Sequence, residues 1–87
     1  MIRSEWRLDM RLKDAAMLRQ YMEFKDLTIR QLANRAGVSR STIGHLVSGE
    51  RSNAKPQTAR AIEEALGAPS GLLFEARASK VSREVAA

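Results

Sequence analysis

The middle of the chain contains two helical patterns of apolar residues, and the helices that they predict are only three residues apart. The first pattern recurs at i, i+3, i+4 and i+7, and its members are Ile29, Leu32, Ala33 and Ala36. The second consists of Ile43, Leu46 and Val47. The second helix resumes after Ser39, so only residues 37–39 lie between the two helices, which must share a three-residue turn.

Capping residues mark the ends of these two helices. Thr28 followed three residues later by Gln31 is a capping-box pattern that opens the first helix. Gly37 accepts a left-handed C-cap without steric cost and ends it. Ser39 is a good N-cap for the second helix, which we expect to run over residues 39–48 and end at Gly49.

A further helix is predicted on each side of this pair. Asp14 can cap one that runs to about Lys25, and Pro56 suits the first turn of one that Gly67 and Pro69 end. Their inward residues are Leu18, Tyr21 and Met22, and Ala59, Ile62, Ala65 and Leu66. Residues 50–55 are polar, and we expect no regular structure there. A short turn over residues 70–74 would add Leu72, Leu73 and Phe74 to the core.

The start of the chain has a different period. From Trp6 to Leu12 apolar residues alternate with charged ones, which predicts a strand over residues 5–12 with one buried face. A lone strand is unstable, so its partner is either the tail around residues 78–85 or the same strand of a second subunit. The alternative is irregular structure with Trp6 packed under the first helix. We therefore divide the chain into an extension (1–12), a helical domain (13–75) and a tail (76–87).

The composition excludes several classes of protein. Eighty-seven residues suit one domain, and a chain without Cys and with a single histidine, His45, has neither a disulfide framework nor a multi-histidine metal site. No apolar run approaches the length of a membrane span, and the start lacks a secretory signal. We expect a soluble intracellular protein that binds no metal and no cofactor.

The positive charge is concentrated in the helical centre. The net charge is +5, and residues 28–60 carry six basic residues against one acidic, which accounts for all of it. The basic residues are Arg30, Arg35, Arg40, Arg51, Lys55 and Arg60. Such a patch is typical of a surface that faces a polyanion, although a solvated basic face without a partner has the same composition.

The chain from the first predicted helix to Phe74, including the segment 27–74, resembles the helix-turn-helix domain of the Cro and phage-repressor family, also called the xenobiotic-response-element type. The residues that carry the resemblance are Leu32, Ala33, Gly37, Val38, Ser39, Ile43, Leu46, Gly49, Ala65, Leu66 and Gly67. The resemblance implies a mainly α, lambda-repressor-like fold of four to five short helices that binds double-stranded DNA. The chain is also similar to small regulators of actinobacterial phages, which would place it in the cytoplasm of a bacterial host.

The helix over residues 39–48 is the predicted reader of DNA bases. At 100° per residue its inward apolar face leaves a small, donor-rich outer face and flanks, and the candidate base-reading residues are Arg40, Ser41, Thr42, Gly44 and His45. Arg40 can reach a guanine, and His45 lies one turn deeper in a major groove. Gly44 in mid-helix favours close approach to DNA, with neutral tolerance as the alternative.

Phosphate contacts are expected from the flanking segments. The candidates are Thr28, Arg30, Ser39, Arg51, Asn53 and Lys55. A helix N-terminus such as that at Thr28 attracts phosphate, and the resemblance implies the same role for Arg30, Asn53 and Lys55. Arg35 and Arg60 are either contacts or ordinary solvated residues.

Two positions depart from the family pattern. Many members have a phosphate-binding Gln where Ile29 stands, so that contact should be missing. Many also pair an Arg and a Glu at the positions of Met22 and Val47, and we expect these two apolar residues to pack instead.

The predicted function is a sequence-specific transcriptional regulator, a repressor that acts as a homodimer on a two-fold operator. An enzyme is not expected, because His45 has no partner at a suggestive spacing and no glycine-rich phosphate loop is present. The alternative is a protein-binding module of the same fold, such as an antitoxin or an anti-regulator.

Overall fold

Four helices and a three-stranded antiparallel sheet make up the chain. The computed structural model describes the backbone of residues 2–84 and the side chains of residues 8–78. The helices are α1 (Ala15–Phe24), α2 (Ile29–Ala36), α3 (Arg40–Ser48) and α4 (Pro56–Leu66). The strands are β1 (Ile2–Leu12), β2 (Asn53–Ala54) and β3 (Phe74–Glu84). The mainly α class with an added N-terminal strand is confirmed. None of the described helices is long and apolar enough to cross a bilayer.

Side-chain caps fix the starts of α1, α2 and α3 where the sequence predicts them, whereas Lys55 at the start of α4 makes no side-chain cap bond. Asp14 accepts the N–H of Ala16 at 2.9 Å at the start of α1. Thr28 and Gln31 form the reciprocal capping box of α2. Ser39 caps α3, and Gly37 between the two helices has φ 71°, in the left-handed region that glycine enters without strain. The turn between α2 and α3 is therefore set by interactions between neighbouring residues.

The helices enclose one hydrophobic core. Its fully buried members are Leu18, Leu32, Ile43, Leu46, Ala59, Ile62 and Phe74, each with no exposed surface. Tyr21, Ala36, Val47 and Ala65 are half-buried and pack against this core. The predicted stripe of α2 is wrong at Ile29, which is 37% exposed. Ile29 is the first residue of α2, and the buried part of the stripe begins one turn later, at Leu32.

A buried carboxylate holds the segment between α4 and β3. Glu63 is only 4% exposed, and its Oε2 accepts the N–H groups of Gly71, Leu73 and Phe74 at 3.1 to 3.4 Å. The expected turn closes with a bond from Leu72 N–H to the Pro69 carbonyl and contains no helix. Leu73 and Phe74 are buried and Leu72 is half-buried.

The N-terminal strand pairs with the tail of the same chain. β1 lies between β2 and β3, and its pairing with β3 runs from Leu12 opposite Phe74 to Ile2 opposite Glu84. The prediction of a strand paired with the tail is confirmed over longer segments than expected, and the alternative of irregular structure is wrong. Residue 85 of the predicted tail strand lies outside the described residues.

The expectation that residues 50–55 lack regular structure is wrong at two positions. Asn53 and Ala54 form β2, which pairs with Arg11 and Met10 of β1. Because β1 presents unpaired backbone groups on the side away from β3, even a two-residue segment gains hydrogen bonds by lying there. This short pairing joins the N-terminal strand to the loop that follows α3.

β1 and β3 extend from the core as a ribbon, residues 2–11 with 75–84, which has two strands except at residues 10 and 11, where β2 adds a third. We call residues 12–74 the helical body. The apolar face of β1 packs as predicted at Leu12, which is 4% exposed, and partly at Met10, but Leu8 is 54% exposed. The predicted burial of Trp6 concerns a side chain outside those described. The ribbon helps to stretch the molecule to 53 Å in its longest dimension, against 21 and 19 Å in the others.

Candidate nucleic-acid interface

The outer face of α3 is accessible along its whole length. Ile43 and Leu46 anchor the helix in the core, while Arg40 and Ser41 are exposed. The remaining candidate base readers are half-buried, and they are Thr42, Gly44 and His45. The structure therefore places all five candidates on a helix surface that a large partner can reach. Their role in reading bases stays a prediction.

Two of the candidate hydroxyls are bonded to each other at the start of α3. Ser39 Oγ accepts the N–H of Thr42 at 3.1 Å and lies 2.8 Å from Thr42 Oγ1. One hydroxyl hydrogen is used in this pair, so one remains to donate outward. The N-terminal turn of α3 is thus held rigid by the same groups that are expected to meet DNA.

His45 has a partner that the sequence reasoning did not find. Its Nε2 lies 3.4 Å from Oε2 of Glu50, just beyond the end of α3. The side chains are 45% and 71% exposed, so the pair is open to solvent. The Glu50 carboxylate contacts one ring nitrogen of the imidazole, and it also adds a negative charge at that end of the helix.

Four predicted contact residues line one open concavity beside α3. Thr42 forms its α3 wall, and the loop and strand that follow α3 supply the others, Arg51, Asn53 and Lys55. Ala54, Thr58 and Asp9 complete the lining. The loop is fastened to α3 by a 3.0 Å bond from Arg51 N–H to the His45 carbonyl and to β1 through β2. We call this surface the basic concavity.

Asp9 is the unexpected member of the basic concavity. It comes from β1, more than 30 residues before α3 in the chain, and lies opposite Arg77 in the β1–β3 register. The alternation in β1 placed Asp9 on the charged face of the strand. Only the pairing of β2 with Met10 and Arg11 shows that this face borders the loop after α3.

At the start of α2, free backbone N–H groups are more available to a partner than the capping residue Thr28. Both Thr28 and Arg30 are exposed, but the capping box already uses the Thr28 N–H, donated to Gln31 Oε1 at 3.0 Å, and the Gln31 N–H. The N–H groups of Ile29 and Arg30 occupy the first two positions of the helix, where no intrahelical acceptor exists. A phosphate at this end would therefore meet Ile29 and Arg30 backbone groups rather than that of Thr28.

The contact between α1 and α3 differs from the family's ion pair, as expected. Met22 is 7% exposed and Val47 packs half-buried against the core. In addition, Arg19 Nη1 donates to the Val47 carbonyl at 2.5 Å. A cation of α1 therefore still holds α3, through its backbone and from a position that the family pattern does not mark.

Comparison with known proteins agrees with this geometry. The model of the family described as Helix-turn-helix, of the Cro type, matches residues 18–73, which include all four helices from the second turn of α1 onward. The chain belongs to the helix-turn-helix family. This confirms the resemblance found in the sequence, whereas the narrower likeness to regulators of actinobacterial phages stays a prediction.

One similar helix-turn-helix protein is the HTH-type transcriptional repressor RghR of Bacillus subtilis (strain 168). The two sequences are 40% identical over 60 residues, which cover 68% of this chain and 44% of the relative. The match thus spans less than half of the relative's length. No solved structure matches the chain significantly.

Proposed function

We propose that this helix-turn-helix protein is a sequence-specific, double-stranded DNA-binding transcriptional regulator that acts as a repressor. The observation that carries the proposal is the continuity of the outer face of α3 with the basic concavity. Base-reading and phosphate-binding candidates thereby share one surface. The similarity to a protein named as a transcriptional repressor supports the regulatory role.

In this proposal α3 lies in the major groove. Arg40 at its start donates to a guanine edge, and His45, in contact with Glu50, reads one turn deeper. Phosphates on either side are bound by Arg51 and Lys55 of the basic concavity and by the start of α2. Charge favours the arrangement, because the segment that supplies these contacts carries the whole net positive charge of the chain.

The regulator is proposed to act as a homodimer. A single module of this size buries only about 600–1,000 Å² on DNA, which gives limited affinity. Two modules related by a two-fold axis would bind half-sites about 34–36 Å apart, one turn of the duplex. The operator would then be a palindrome.

Salt dependence tests whether the chain binds DNA at all. With random duplex DNA the logarithm of the association constant should fall steeply with the logarithm of salt concentration, at about 0.9 per phosphate neutralised. Absence of duplex binding at low salt would overturn the proposal and leave a protein-binding module of the same fold.

Paired variants separate base reading from phosphate binding. Arg40→Ala should cost roughly 1–3 kcal/mol on the selected operator and far less on random DNA. Lys55→Ala should weaken binding to both kinds of duplex and lower the salt slope by about one. Equal losses on both duplexes for Arg40→Ala would contradict α3 as the reader.

Lys25→Ala is the matched control for Lys55→Ala. It removes the same charge, but Lys25 lies beside Gly67 at the C-terminal end of α4, whereas Lys55 precedes the N-terminus of that helix. A helix of 11 residues separates the two sites by roughly 16 Å. Lys25→Ala should leave the salt slope unchanged, and an equal change would contradict the assignment of Lys55.

A further inference from the structure

One edge of β1 is open over most of its length. β3 covers the other edge from Ile2 to Leu12, but β2 covers this one only at Met10 and Arg11. Within residues 2–84, which the structure describes, no other strand pairs with the edge at residues 2–9. An open strand edge presents a row of unpaired backbone donors and acceptors to another chain.

The hydrogen-bond pattern shows which residues serve the open edge. Leu12 N–H donates to the Ser52 carbonyl at 2.7 Å, on the β2 side. Lys13 N–H donates to the Leu73 carbonyl at 2.9 Å, on the β3 side. Since backbone groups alternate along an antiparallel strand, even-numbered residues of β1 direct their N–H and C=O toward the open edge. These residues are Ser4, Trp6 and Leu8.

We propose that residues 3–9 of β1 pair antiparallel with the same residues of a second copy of the chain, with Trp6 on the two-fold axis. Each residue i then lies opposite residue 12 − i of the partner. Trp6 pairs with its own copy, and Ser4 pairs with Leu8, through backbone hydrogen bonds. This inference rests on the homodimer of the proposed function and names its interface.

Charge complementarity selects this register. Glu5 of one copy lies opposite Arg7 of the other, and Arg3 lies opposite Asp9. Each contact occurs twice because of the two-fold axis. All these positions are non-hydrogen-bonded pairs, the kind in which opposed residues approach most closely.

Neighbouring registers fail on charge or on space. An axis through residue 5 places Glu5 opposite its own copy and Arg3 opposite Arg7. An axis through residue 7 places Arg7 opposite its own copy and Glu5 opposite Asp9. Both oppose like charges, which destabilises a sheet. An axis further along needs the edge at Met10, which β2 occupies, and an earlier one leaves the second half of the open edge unpaired.

In the register within one chain, positions 3, 5 and 7 do not lie opposite a residue of opposite charge. In the β1–β3 register Arg11 lies opposite Glu75 and Asp9 opposite Arg77, both opposite-charge pairs near the body. Farther out the pattern ends, because Glu5 lies opposite Val81 and Arg7 opposite Ser79. Arg3 even lies opposite Arg83. A second copy supplies the missing opposite charges at positions 3, 5 and 7.

The ribbon also gains strands from this pairing. A two-stranded ribbon is only marginally stable in water, whereas three or more strands with an apolar face are stable. Joining two copies gives a continuous sheet in the order β3–β1–β1–β3. Its even-numbered faces lie on the same side, so the exposed apolar surface at Leu8 and Ala78 of each copy becomes part of one larger face.

Cysteine cross-linking tests the register directly, because the natural chain has no cysteine. Ser4→Cys and Leu8→Cys variants of the full chain are mixed and mildly oxidised without DNA. The mixture should form disulfide-linked dimers, because residue 4 lies opposite residue 8. Each variant alone should not, since like positions are roughly 14 Å apart along the strand and a disulfide needs Cα atoms within about 7 Å.

Charge exchange gives a second test by sedimentation equilibrium. Arg7→Glu should weaken dimerisation about tenfold, because it replaces two attractive pairs by repulsive ones. Adding Glu5→Arg in the same chain should restore it. A dimer unaffected by Arg7→Glu, or cross-linking that is equal in the mixture and the separate variants, would overturn the proposal. Either result leaves duplex binding by the salt test intact, so this failure is distinct from failure of the proposed function.

Discussion

The helical body and the ribbon differ in how far their apolar residues are buried. In the body, side chains cap the starts of three helices, the core residues are at most 9% exposed, and the buried Glu63 accepts three backbone N–H groups. In the ribbon the backbone pairing continues, but Leu8 is 54% exposed and Ala76 and Ala78 are also open to solvent. Alternation along β1 therefore predicts a strand, and it does not tell what covers the strand.

This difference implies a division of labour. The body contains every buried residue of the described hydrophobic core, and it carries α3 and all of the basic concavity except Asp9. Within the described residues, Leu8 of the ribbon is largely exposed and no other strand pairs with the β1 edge at residues 2–9, so both are available for a partner. Substitutions at residue 12 of β1 should therefore lower the stability of a single chain, whereas substitutions four residues earlier, at residue 8, should hardly change it.

The largest effect is expected from a pair of leucines on the same face of β1. Leu12→Ala should lower the free energy of unfolding by about 3 kcal/mol, because it leaves a cavity in the core. Leu8→Ala should cost less than about 0.5 kcal/mol, as is usual for an exposed position. Urea denaturation at a protein concentration that keeps the chain monomeric measures both. Equal losses would mean that the ribbon packs as tightly as the body.

A second pair tests how the body is closed. Glu63→Ala should destabilise the protein by about 2 kcal/mol or more, because the N–H groups of Leu73 and Phe74 would lose a charged acceptor while buried. The neighbouring Glu64→Ala is the control, since Glu64 is exposed on the same helix. It should change stability by less than about 0.5 kcal/mol. If the two variants unfold alike, the Glu63 carboxylate does not hold the loop.

The helical body was predictable because its rules are local. The capping residues each act within one helical turn, and they are Thr28 with Gln31, Gly37 and Ser39. The two helices and the turn between them therefore follow from nearby residues. The apolar spacing then identified Leu32, Ile43 and Leu46 as core. Ile29 shows where this prediction fails. Periodicity identifies the apolar face of a helix, but it does not tell how much of the length of that face is covered by the other helices.

The missed features depend on contacts between distant segments. Three of them join parts of the chain that no short pattern relates. They are the bonds that Glu63 accepts from the loop before β3, the bond of Arg19 to the Val47 carbonyl, and the place of Asp9 in the basic concavity. β2 could not be predicted either, since two polar-flanked residues become a strand only because β1 lies beside them. For the same reason the candidate site was predictable as a set of residues on α3 and its loop, but its border with β1 was not.

The smallest effect is expected at Gly44, which lies on the outer face of α3 rather than on its core face. A Cβ added at Gly44 would meet no atom within 4 Å, and its φ lies outside the left-handed region. The fold therefore gives no reason for glycine there, and Gly44→Ala should raise stability by about 0.5–1 kcal/mol through helix propensity alone. If α3 lies close against the groove at this point, the added methyl group should weaken binding to the selected operator, about tenfold, and leave binding to random duplex unchanged. Thermal unfolding and titration with both duplexes measure the two effects separately. A more stable variant with full operator affinity would remove Gly44 from the base-reading set while leaving Arg40 in it, because the Arg40→Ala test does not depend on how closely the backbone approaches.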